Sequence, residues 1–107
     1  MLGAAVREKR EHIRAPYQVD VQVSGDWIGT VTSRDLSVGG MFLVTPEGMT
    51  PPPLGANLEL RFAAAGSVEL RVPGVVRWQS VDGFGVQFGL LGARETNAIG
   101  KVTRGKF

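Results

Sequence analysis

Apolar and polar residues alternate one by one in three stretches of this chain: Tyr17-Gln18-Val19-Asp20-Val21-Gln22-Val23, Leu58 to Phe62 around Glu59 and Arg61, and Val68 to Val72 around Glu69 and Arg71. Successive side chains of an extended strand point to opposite faces, so a period of two specifies strands with one buried face, whereas helical apolar positions recur every three to four residues. Ser24-Gly25-Asp26 turns the first strand into a second at about Trp27 to Ser33, and Ala63-Ala64-Ala65-Gly66 joins the other two stretches into a second hairpin. Met41 to Val44 is a further short apolar run. The segment from Thr45 to Gly55 is a loop, because Pro51-Pro52-Pro53 lacks the N–H groups a ladder requires. Pro73-Gly74 predicts a bulge or bend before Val75 to Gln79 continues as the same or a new strand, and Asp82-Gly83 turns the chain into Phe84 to Phe88.

About six short strands separated by Gly and Pro specify a mainly β fold, a small antiparallel barrel whose closure removes exposed edges. Ala93 to Ile99 then predicts one or two helical turns, with Leu91 and Ile99 facing the barrel and Gly100 limiting the length. At 107 residues the chain makes one domain: an arm over 1–15, the barrel over 16–90, and a short helix and tail over 91–107. Pro16 disfavours the helical state at Ala15, and the arm is charge-rich without a periodic apolar face, so it is expected to be flexible.

Charge and composition narrow the function. Residues 7–14 and 94–107 carry net charges of +2 and +3 around a middle of −3, within a total of +2. Basic ends on a slightly acidic body do not make the continuous basic face that tracks a nucleic-acid backbone, but they suit a small anion held locally. The absence of Cys removes disulfides, thiol catalysis and Cys-based zinc sites. With no apolar run of membrane-spanning length and no secretory signal, the expectation is a cytoplasmic protein, a monomer or weak dimer, with no membrane partner.

Two short clusters carry the chemistry. Arg10 and Arg14 stand four apart, and Asp35-Leu36-Ser37-Val38-Gly39-Gly40 follows about twenty residues later. An Arg fork matches phosphate oxygens or the O6/N7 edge of guanine two bonds at a time, and its flat cation can stack on a purine. A carboxylate at Asp35 accepts from guanine N1–H and N2–H, the Ser37 hydroxyl donates or accepts, and Gly39 and Gly40 let backbone approach closely. Together they describe a site for a guanine-containing phosphate ligand. An ordinary Asp-Ser turn explains the second cluster equally well, and both roles can hold at once.

Arg-x3-Arg followed by Asp-x-Ser-x2-Gly resembles the pattern of PilZ domains, with every fixed position present as Arg10, Arg14, Asp35, Ser37 and Gly40, and the remaining segments, ending in Gly85-Val86-Gln87-Phe88, look like the PilZ barrel over about residues 7–104. The resemblance implies a small six-stranded antiparallel barrel that binds the bacterial second messenger cyclic di-GMP. It implies that the two arginines sit on an arm closing over the ligand, that Asp35 and Ser37 lie on the barrel wall, and that there is no catalysis and no cofactor. Lys9 is a further charge within reach of the phosphates, and in the family this position bears on whether one messenger or a stacked pair is bound.

Other residues have two readings each. Trp78, on the same face as Val76 by strict alternation, either packs in the core or stacks on a guanine at the barrel mouth. Trp27 is an anchor in the barrel wall, Arg34 contacts ligand or solvent, and the lone His12 has no partner for metal or catalytic work. The leading expectation is a non-enzymatic cyclic di-GMP receptor that signals in trans through contact with an unidentified effector protein. Its alternatives are a ligand-free PilZ-type adaptor in pilus or motility machinery, and a small barrel for single-stranded nucleic acid, which lacks the interleaved basic and aromatic residues that such a surface needs.

Overall fold

The computed structural model describes residues 14–64 and 68–104. Seven strands and one helix follow in order: β1 Ala15–Pro16, β2 Asp20–Gly25, β3 Gly29–Ser37, β4 Gly40–Val44, β5 Asn57–Ala63, β6 Glu69–Ser80, β7 Gly83–Phe88 and α1 Ala93–Arg104. All pairings are antiparallel, in the order β1-β3-β2-β5-β6-β7-β4, and β4 also pairs with β3. The last pairing closes β2 to β7 into a six-stranded barrel. β1 lies outside the barrel proper and extends the edge of β3 that β2 leaves free, through Ala15 opposite Leu36 and Pro16 opposite Asp35.

The alternating stretches bury one face each, as their period dictates. Val21, Val23, Leu58, Leu60, Phe62, Leu70, Val72, Phe84 and Val86 line the interior, while Glu59, Arg61 and Arg71 stay on the outer face. Burial of such side chains, at about 25 cal/mol per Å² of apolar surface, is the main stabilising term. Phe62 stacks on Phe88, and Trp27 meets Phe84 edge-on while its indole N–H donates to the Thr50 carbonyl, so Trp27 is the wall anchor expected of it.

Two details differ from the sequence-based expectation. Val75 to Gln79 continues the same strand, as one of the two expected alternatives had it, but β6 keeps its register through Pro73-Gly74 and its bulge comes later, between Val76 and Trp78. The Pro73 carbonyl accepts from Gly89 N at 2.9 Å, and N and O of a strand residue point the same way, so the missing N–H faces the β7 side just beyond its end and no ladder bond to β5 is lost. The helix is also longer than expected and passes through Gly100, which is buried with Ala98, Ile99 and Thr103 against the barrel. A Cβ there would meet only the mobile end of the Arg104 side chain, so the helix carries this glycine without a packing demand for it, and Ile99 is fully buried as foreseen. The N-terminal arm ahead of Arg14 lies outside the described residues.

Candidate functional site

Two bulges shape the outer wall. Against β4, the register of β3 shifts between Ser33 and Asp35; against β7, that of β6 shifts between Val76 and Trp78. Each inserts one extra residue, Arg34 and Arg77, and one extra residue reverses the face on which everything beyond it points. Asp35 would otherwise follow the buried Ser33 inward, and Trp78 would follow Val76. Instead both stand outside, and Trp78 is 44% exposed. The expectation that Trp78 shares a face with Val76 is thereby corrected, and core packing is not its role.

Residues directly opposite in antiparallel strands share a face. One row therefore crosses four strands on the outside: Asp35, Phe42, Gly85, Trp78. A second runs Ser37, Gly40, Gln87, Val75. Each row has a glycine near its middle. A Cβ at Gly85 would collide with the Trp78 indole, which lies flat on that glycine, and a Cβ at Gly40 would collide with the Val86 carbonyl oxygen. Gly85 thus seats the aromatic ring. Gly40 permits close approach of β4 to β7 and does not itself line the groove described below.

At the β3 side of these rows, Arg14 Nη1 donates to Asp35 Oδ1 at 2.5 Å, and the same oxygen accepts from the Phe42 backbone N–H at 3.2 Å. The carboxylate is thus fixed by the wall and in turn holds the guanidinium. Ser37 is fully buried; its hydroxyl accepts from Gly39 N and Gly40 N at 3.1 and 3.2 Å and donates to the Gly40 carbonyl. Its bonds secure the tight Val38-Gly39 turn. Arg34 points elsewhere: it lies over the Phe42 ring at 4.4 Å and pairs with Asp82 at 2.7 Å, which together with Ser80 holds the Asp82 carboxyl below its ordinary range.

Between the β3–β4 turn, the outer faces of β6 and β7, and the start of α1 lies an open groove of about 740 Å³, within the usual size of small-ligand sites. Arg14, Ser37, Gly39 and Trp78, four of the expected site residues, line it, and Asp35 reaches it through Arg14. Lys9, Arg10 and His12 lie outside the described residues. The groove also takes in Arg77, Gln87, Leu90 and Thr96, which the sequence did not single out, and Leu91, which was expected only to face the barrel. Arg77 Nε donates to Gln87 Oε1 at 2.7 Å. Among the described residues no cluster of acidic or His side chains is arranged to hold a metal ion, and no helix is long and apolar enough to cross a membrane.

The sequence model of the PilZ domain matches residues 6–103, nearly the whole chain. This chain belongs to the PilZ domain family. PilZ domains are a family of cyclic di-GMP receptors, generally soluble and non-enzymatic, that interact with effector proteins. The fold is similar to that of the Bacillus subtilis inhibitor of motility MotI/DgrA (TM-score 0.75, 19% identity), covering 92% of this chain and 54% of that one. The chain thus spans about half the length of that structure. It is also similar to the PilZ domain of CeSA from a cellulose-synthesizing bacterium (TM-score 0.62, 20% identity), covering 86% of this chain and 95% of that one. At such identities the likeness concerns the fold. No curated protein matches the sequence. The family is the one the two motifs pointed to, and the six-stranded barrel and C-terminal helix are those expected from the strand alternation and from Ala93 to Ile99.

Proposed function

We propose that this PilZ domain is a non-enzymatic receptor for cyclic di-GMP that signals in trans through a ligand-dependent contact with an effector protein. Arg10 and Arg14, with Lys9 beside them, take the phosphates and purine faces; Asp35 accepts from a guanine edge; and Trp78 stacks on a base. Ser37, Gly39 and Gly40 hold the turn and the strand approach that keep Asp35 in position. What supports the reading most is that Arg14, Ser37, Gly39 and Trp78, scattered over more than sixty residues of chain, line one groove with Asp35 bonded to its arginine. The face of Trp78 left open is available to a planar ring, a contact worth about 0.5–1.5 kcal/mol beyond area burial.

Calorimetric titration of the full chain with cyclic di-GMP tests this. The expected affinity is low micromolar or tighter, about −8 kcal/mol. Arg10→Ala, Arg14→Ala and Asp35→Ala are each expected to weaken it by more than about tenfold, the usual scale for losing a charge-assisted bond. GMP should bind far more weakly, and amide exchange across Lys9 to Arg14 should slow when the messenger is bound. Equal affinity for GMP, or unchanged binding in all three variants, would reject these roles. A complete lack of binding would favour the ligand-free adaptor.

A further inference from the structure

We infer that Arg77, oriented by Gln87, is a further phosphate-binding residue of the groove, an assignment that rests on the receptor reading proposed above. Charge balance in the groove points to this residue. Among the described residues that line the groove, only Arg14 and Arg77 are charged. Arg14 is already matched by the Asp35 carboxylate, so the pair contributes little net field. Arg77 is held by the neutral amide oxygen of Gln87 and forms no ion pair among the described residues. Among the described residues it is therefore the uncompensated cation of this surface, and a cyclic dinucleotide carries two phosphate charges to be met.

The geometry shows a built arrangement. Arg77 is the extra residue of the β6 bulge, which turns it and Trp78 together onto the outer face. Gln87 stands on β7 opposite Gly40, in the outer row that also holds Ser37 and Val75. Because Gln87 takes Nε, the two terminal nitrogens of the guanidinium remain available for phosphate oxygens. An indole and a cation presented side by side suit a base and its neighbouring phosphate.

Titration of the full chain with cyclic di-GMP separates the possibilities. Arg77→Gln is expected to bind about ten- to a hundredfold more weakly, the range for losing hydrogen bonds to a charged group. Its binding should also lose part of its salt dependence. Arg77→Lys, which keeps the charge but loses the fork, should bind more weakly than the parent and more tightly than Arg77→Gln. Gln87→Glu, nearly isosteric, should weaken binding by about two- to fivefold by pairing the cation internally. Thermal unfolding of these outward-facing variants is expected to match the parent, and Gln87→Glu tests the assignment independently if Arg77→Gln does not fold. Binding by Arg77→Gln within twofold of the parent, while Arg14→Ala is impaired, would overturn this inference and leave the receptor reading intact. An Arg77→Lys variant as weak as Arg77→Gln would overturn the phosphate assignment. Failure of the parent to bind would overturn both inference and reading.

Discussion

Replacing Gly40 by Ala should cost this domain stability even without ligand, although the residue belongs to a ligand motif. The added methyl would meet the Val86 carbonyl oxygen, with Val86 C and Gln87 Cα at 3.2 and 3.3 Å behind it. These are backbone atoms, so no rotamer change relieves the overlap and β4 must move away from β7. The movement falls where the Phe88 N–H donates to the Gly39 carbonyl at 2.8 Å and where Ser37 bonds Gly39 and Gly40. Loss of two or three such bonds at about 1 kcal/mol each, plus residual overlap, gives a cost of about 2–4 kcal/mol. Against a total of about 5–15 kcal/mol, and at about 4–8 °C per kcal/mol for a domain of this size, the melting temperature should fall by about 8–30 °C. Circular dichroism of the ligand-free protein measures this. Gly48→Ala is the control: its φ of 86° is unfavourable for Ala but no atom lies within 4 Å, so only about 1–2 kcal/mol is expected. A Gly40→Ala melting temperature within about 3 °C of the parent would refute the steric argument and return the glycine to direct contact with ligand.

Gly85→Ala should drive the Trp78 ring off the wall at about 1–3 kcal/mol and weaken cyclic di-GMP binding; an unchanged Trp78 indole resonance would contradict this. Ser33→Ala should destabilise by about 1–3 kcal/mol in denaturant titration, because the buried hydroxyl accepts from Val19 N and donates to the Tyr17 carbonyl, and both groups would be left unpaired. The depressed Asp82 pKa means that its contribution to stability is present above the ordinary carboxylate range and is lost as pH falls through the lowered value. In Arg34→Ala, an NMR titration of Asp82 should move upward towards the ordinary range, and an unmoved midpoint would remove Arg34 as the cause.

The strands were legible because a period of two survives any context in which one face is buried: Val21, Val23, Leu58 and Leu60 all lie inside as their spacing requires. The bulges were not legible. A single inserted residue such as Arg34 or Arg77 leaves composition and local pattern unchanged, yet it decides that Asp35 and Trp78 face outward. Strict alternation therefore sends Trp78 to the wrong side. Pro73 misleads for a related reason, since whether a missing N–H matters depends on the neighbouring strand having already ended. Of the site, Arg14, Asp35 and the Ser37–Gly40 turn could be named from spacing in the chain. Arg77 and Gln87 could not, because only the β6–β7 register brings them beside those residues.

The two-residue β1 has a practical corollary for anyone trimming or fusing this domain. Ala15 and Pro16 cover the backbone of Asp35 and Leu36 along the one flank of β3 that β2 does not reach. A truncation starting after Pro16 would strip that cover and offer the bare amides and carbonyls to any extended peptide in solution, inviting filament-like stacking of copies. Fusion junctions are best placed upstream of Arg14, where the natural plug stays in its seat.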